Sequence, residues 1–182
     1  MGSDPSNREG GIIMPARQES CCFTGHRPSK LPWKYNESDP RCLALKRRIA
    51  DAVETAYEEG YRHFLCGMAM GCDLYFCEAV LALRQKHEDV TLEAAIPCPS
   101  QSNTWPAAQR QRYRALLDRC DYETMVSAAY SPSCMQRRDR YMVDHASLLI
   151  AAFDGSAGGT RYTVEYALRR RVNVVDLAIP EA

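Results

Sequence analysis

The stretch Cys66-Gly67-Met68-Ala69-Met70-Gly71-Cys72-Asp73 decides the fold, because a short apolar run, Arg62 to Cys66, ends in it and a helical pattern leaves it. Gly67 and Gly71 let the backbone turn sharply and approach a ligand with no Cβ in the way. Leu74, Cys77 and Leu81, with Phe76, Val80 and Leu83, then recur at helical spacing through about Lys86. Asp73 stands where a helix N-cap belongs, with free backbone N–H groups beyond it. A strand, a glycine turn and a helix N-terminus in succession make a potential anion site. The spacing lacks both the Gly-Lys-Ser/Thr of a P-loop and the complete dinucleotide fingerprint.

The same alternation extends in both directions. Ser20 to Thr24 is a strand that runs into Gly25-His26-Arg27-Pro28, a second candidate site turn. Asp39-Pro40 caps and starts a helix whose Leu45, Ile49, Val53 and Ala56 recur at helical spacing up to Gly60. Downstream, Val90 to Ile96 reads as a strand closed by Pro97-Cys98-Pro99, Asn103 to Cys120 as a helix and Tyr122 to Ser127 as a short strand. Cys134 to His145 reads as a helix opened by Ser131-Pro132, and Ser147 to Phe153 as the clearest central strand. The loop Asp154-Gly155-Ser156-Ala157-Gly158-Gly159-Thr160, a helix from Thr160 to about Arg171 and a strand from Val172 to Leu177 complete the pattern. Residues 1–18 read as a flexible leader, vector-derived in part, and 19–182 as a single domain.

Alternating strands and helices with short connections predict an α/β domain with a mostly parallel sheet of about six strands, covered on both faces. Right-handed crossovers put the turns at Gly25, Gly67 to Gly71 and Gly155 to Gly159 on one carboxyl edge, where open sheets of this kind bind ligands. Lys plus Arg and Asp plus Glu both number 23, so no charge imbalance advertises nucleic acid or an anionic membrane. Nothing approaches the roughly 18 apolar residues of a membrane span, and no signal segment opens the chain, so a cytoplasmic protein is expected. Nine cysteines, an odd number without a Cys-x-x-Cys pair, argue against a disulfide scaffold and against zinc. They read as buried thiols, with Cys72 in the glycine turn as the candidate reactive exception.

Thr24-Gly25-His26-Arg27-Pro28, the Cys66 to Asp73 stretch and Asp154 to Thr160 together resemble the YpsA-like family of the SLOG superfamily, which also holds the Lonely Guy phosphoribohydrolases and DNA-processing protein A. The middle turn is similar to the Ser-Gly-x-Ala-x-Gly-Ile-Asp turn of DNA-processing protein A. The resemblance covers roughly Ser20 to Leu177. It implies a Rossmann-like three-layer sandwich that takes a nucleotide or nucleotide-derived ligand, such as a nucleoside phosphate or ADP-ribose, as sensor or as enzyme of undefined activity. It also suggests a homodimer. Two alternatives go with it: a single-stranded nucleic-acid binding module, which zero net charge disfavours, and a nucleoside-monophosphate phosphoribohydrolase. The Lonely Guy pattern Pro-Gly-Gly-x-Gly-Thr-x-x-Glu puts its catalytic glutamate where this chain has Thr163. Glu165, two residues on, falls on a nearly opposite helix face at about 100° per residue.

The expected ligand contacts are Thr24, Gly25, His26, Arg27, Gly67, Met68, Ala69, Gly71, Asp73, Asp154, Gly158, Gly159 and Thr160. Backbone N–H groups of Gly67 to Gly71 and of Gly158 to Thr160 would hold phosphate, with Arg27 adding charge-assisted bonds. Asp73 caps its helix or binds a ribose hydroxyl; Asp154 turns the loop, binds ribose or acts as a base. No metal ligands and no catalytic residue are identified. Trp33, Tyr35 and Trp105 either stack on a base or seal the core edge, and Arg137, Arg138 and Arg140 form either a solvated face or a phosphate contact.

Overall fold

The computed structural model describes residues 15–179. Most of the expected leader lies outside them; Arg17–Glu19 make one 3-10 turn that enters the first strand. The elements follow as β1 (Ser20–Gly25), α1 (Pro40–Glu58), β2 (His63–Cys66), α2 (Cys72–Lys86), β3 (Thr91–Ile96) and α3 (Ala107–Leu117). Then come β4 (Tyr122–Met125), α4 (Cys134–Asp144), β5 (Leu148–Ala152), α5 (Gly159–Arg169) and β6 (Asn173–Asp176). All six strands are parallel, in the order β4-β3-β2-β1-β5-β6.

Successive strand residues feed two separate cores. Phe23, Phe64, Cys66 and Ile150 pack with the apolar stripes of α1 and α2, while Cys22, Leu65 and Leu149 pack with Met142 and Val143 of α4 and Ala167 of α5. Burial on both faces is why the central strands read as unbroken apolar runs. On α1, the Asp39 side chain accepts the Arg41 N–H at 2.8 Å and Pro40 occupies the first turn, as the sequence predicts. Phe76 of α2 stacks on Phe23 of β1 with ring centres 4.6 Å apart, which seats the helix over the middle of the sheet.

One helix starts later than its spacing predicts. Expected from Asn103, α3 begins only at Ala107, because Pro106 disfavours helical torsions in the residue before it and the preceding segment folds into turns. That correction leaves a loop of irregular backbone from Pro97 to Pro106 at the carboxyl edge.

Strands β2 to β4 are added on one side of β1, and the chain then crosses to add β5 and β6 on the other. The reversal opens a crevice at the carboxyl ends of β1 and β5, where Gly25 pairs with Ala152. The Gly71 turn packs against that point: a Cβ on Gly71, whose φ is +86°, would sit 2.7 Å from the His26 carbonyl oxygen. Gly155 has a similar φ of +82° but nothing within 4 Å of its Cβ position. In chemical denaturation, Gly71→Ala is expected to cost about 2 kcal/mol or more and Gly155→Ala only about 1 kcal/mol. Equal losses would place the whole cost in the torsion and none in the packing of the turns.

Candidate functional site

At the crevice lies a cleft of about 180 Å³ between the β1 turn, the start of α5 and one face of α4. Of the expected contacts, Thr24, Gly25, His26, Arg27, Ala69, Asp73, Gly159 and Thr160 line it. Gly67, Met68, Gly71, Asp154 and Gly158 do not line it. Lys30, Arg138, Asp139, Met135 and Met142 line the cleft as well, and only Arg138 among them was singled out by sequence, as part of a basic cluster.

The middle turn is built differently from its sequence reading. The N-cap of α2 is Gly71, not Asp73, which sits one residue inside the helix. Rather than capping α2, the Asp73 carboxylate reaches back and accepts the Ala69 N–H at 3.0 Å. Met68 takes a left-handed φ of +56° and buries its side chain completely. Its N–H is directed to Cys66 Sγ at 3.4 Å, and the Cys72 N–H goes to the His26 carbonyl at 3.1 Å. Beside these donors the turn presents a carbonyl: Gly67 O accepts from Arg138 Nη1 and, at 3.0 Å, from Gln101 Nε2. A Cβ at Gly67 would come within 2.5 Å of Arg138 Nη1, so glycine here admits the guanidinium.

Arg138 is buried, and its Nε donates to Asp139 Oδ1 at 2.7 Å. The guanidinium pairs with Asp139 and acts on Asp73 only through its charge. Burial pushes Asp73 up to about 6, against the downward pull of Arg138 and of the Ala69 N–H. His26, also buried, places Nε2 2.7 Å from Asp154 Oδ1. Hydrogen bonds from Ser156 and from the His26 ring hold Asp154 well below the usual carboxylate range. Cys72 is not a reactive thiol: it is fully buried, and burial pushes its pKa far up. All nine cysteines are free thiols, and no group of three or more His, Cys, Asp or Glu side chains is gathered for a metal among the described residues.

The cleft also holds unspent donors. No partner among the described residues takes the Thr24 or Thr160 hydroxyl, or the N–H groups of Gly159, Thr160 and Arg161 in the first turn of α5. Among the described residues, the side chain of the exposed Arg27 has a single hydrogen-bond partner, Met135 Sδ at 3.9 Å. Lys30 bonds the Ala157 carbonyl and so fastens the 154–158 loop to the β1 turn. On α5, Thr163 donates to the Gly159 carbonyl at 2.9 Å, and Glu165 pairs with Arg161 on the exposed side, as the helical geometry predicts.

Among the expected stacking aromatics, Trp33 is buried and Trp105 packs edge-on against Tyr113, so both seal the core edge, while Tyr35 is exposed. Arg137 is exposed, and the exposed Arg140 donates to Tyr162 Oη at 2.6 Å. Arg138 could have been told from them, because it falls at four-residue spacing with Cys134 and Met142 on the buried stripe of α4.

The model of the YspA SLOG family matches residues 21–176. The chain belongs to this family. Among its relatives is the uncharacterised SPbeta prophage-derived protein YoqJ of Bacillus subtilis, 32% identical over 143 residues that cover 71% of this chain and 83% of that protein. The UPF0398 protein YpsA of B. subtilis is 24% identical over 82% of this chain and 84% of its own length. Among solved structures, DNA processing protein A from Helicobacter pylori superposes with a TM-score of 0.59 at 13% identity, over 92% of this chain and 67% of that one. The same protein from Streptococcus pneumoniae gives 0.58 at 16% identity, over 91% and 51%. These likenesses show the fold. No helix among the described residues is long and apolar enough to cross a membrane.

The pKa of Asp73 has a consequence for stability. A carboxyl raised from 3.8 to about 6 on folding contributes stability that is complete below pH 4 and is lost as the pH rises through 6. Asp73→Asn should therefore gain on the parent protein between pH 4 and pH 6, by about 3 kcal/mol at most, and hold level above. Denaturation midpoints across that range measure it. A gap independent of pH would mean that Asp73 titrates as an ordinary exposed carboxylate.

Proposed function

We propose that the protein binds a nucleotide-derived small molecule, such as a nucleoside phosphate or ADP-ribose, with its phosphate at the start of α5. The observation that carries this reading is the convergence of unpartnered donors on one cleft at the reversal of the sheet. The first N–H groups of α5, two threonine hydroxyls and the Arg27 guanidinium all lack an anionic partner among the described residues. A helix N-terminus and a nearby guanidinium are complementary to phosphate by charge and by hydrogen-bond direction. The acidic floor of Asp73 and Asp139 is suited to the opposite chemistry, accepting hydrogen bonds from ribose hydroxyls. Membership of the SLOG family supports the ligand class. The family's glycine turn between β2 and α2 has, in this reading, a supporting role: it positions Asp73 and Arg138.

A thermal-shift panel of nucleoside mono- and diphosphates, ADP-ribose and dinucleotides, with a single-stranded oligonucleotide as comparison, tests the proposal. Ligands that bind only the folded state raise its melting point by mass action. At least one nucleotide should do so, and Arg27→Gln should weaken that ligand about tenfold or more, the expected loss of a charge-assisted bond. A flat panel, or a shift with the oligonucleotide alone, contradicts it.

A further inference from the structure

Small-molecule sites occupy roughly 300–1,000 Å³. The cleft alone, at about 180 Å³, falls short of this. A second groove of about 410 Å³ adjoins it, with Arg27 and Met135 lining both. The groove is formed by the loop after β3, with Ser100, Gln101, Asn103 and Trp105, and by Tyr130 from the loop after β4.

We propose that this groove is a nucleobase subsite for an adenine-type base, one carrying an exocyclic amino group, and that Gln101 is its specificity-determining residue. The proposal rests on the phosphate reading of the adjoining cleft. Gln101 is 6% exposed, and its Nε2 lies 3.0 Å from the Gly67 carbonyl oxygen. A carbonyl can only accept, so that contact fixes which end of the amide is nitrogen. The other end, Oε1, is buried without a donor among the described residues. A lone buried acceptor in the wall of a groove calls for an N–H from whatever fills the groove. Of the remaining walls, Tyr130 stands 68% exposed and suits the face of a planar ring, while Trp105, pinned edge-on by Tyr113 at 5.3 Å, closes the inner side of the groove. Arg27, between the two cavities, lies where the charged link of a ligand spanning both would run. Gly67 couples the two halves, since its carbonyl holds Gln101 of the base groove and Arg138 of the phosphate cleft.

Titration calorimetry of the full chain with AMP, purine riboside 5′-monophosphate and ribose 5-phosphate tests this assignment. The riboside phosphate differs from AMP only in lacking the amino group. AMP should bind about tenfold or more tighter than either, because a site built around a hydrogen bond rejects the analogue that lacks it. Gln101→Met should erase the difference between AMP and the riboside phosphate and leave ribose 5-phosphate affinity within about twofold to threefold. If that variant fails to fold, the ratio in the parent protein decides. Equal binding of all three compounds overturns the base subsite while sparing the phosphate reading. A uniform loss in Gln101→Met shows that Gln101 only braces the turn, and it overturns the assignment too. No binding of any phosphate compound overturns both.

Discussion

Arg138 buries a guanidinium almost completely in the wall of the cleft, and a charge in such a place persists only if it is paired and hydrogen-bonded on several sides. Its partners come from opposite layers of the molecule. Asp139 belongs to the same helix, α4, on one face of the sheet, whereas Gly67 O belongs to the turn that leads into α2 on the other. The guanidinium therefore spans the carboxyl end of the sheet. It sets the position of the β2–α2 turn, and that turn in turn receives the His26 carbonyl at Cys72 N–H and so holds the β1 turn. His26 closes the circle by pairing with Asp154 at the end of β5.

The three glycine turns consequently divide the work. The turn before α5 keeps its first N–H groups open, whereas the Met68, Ala69 and Cys72 N–H groups of the middle turn go to Cys66 Sγ, the Asp73 carboxylate and the His26 carbonyl. What the β1 and middle turns provide is close packing, with a Cβ at Gly25 falling 2.5 Å from that of Cys72. The cleft is lined both by the carboxylates of Asp73 and Asp139 and by free donors from the β1 turn and the start of α5.

Much of this was legible in the sequence. The central strands stand out because both faces are buried, and α1 is bounded by Asp39-Pro40 and by Gly60, whose φ of +102° suits a helix stop. The convergence of the three turns follows from parallel topology alone, and eight of the expected contacts line the cleft. What local pattern could not show is the direction in which a turn's polar groups point. Met68 in a left-handed conformation rotates the peptide groups of its turn, and only tertiary partners, His26 O and the Asp73 carboxylate, determine which N–H groups are consumed. Arg138 was concealed for a related reason: a run of arginines looks solvated until the buried face of the helix is known. The late start of α3 was a reading error of a simpler kind, since Pro106 was present to mark it.

The central claim is that the anion belongs at the start of α5 and not in the Cys66 to Asp73 turn. A crystal structure of the protein with bound AMP tests it most directly. The account predicts a phosphate within hydrogen-bonding distance of the Thr160 N–H and of the Arg27 guanidinium, with the Gly67 carbonyl still held by Arg138. A phosphate seated on the N–H groups of Gly67 to Gly71, or outside the cleft altogether, would contradict it.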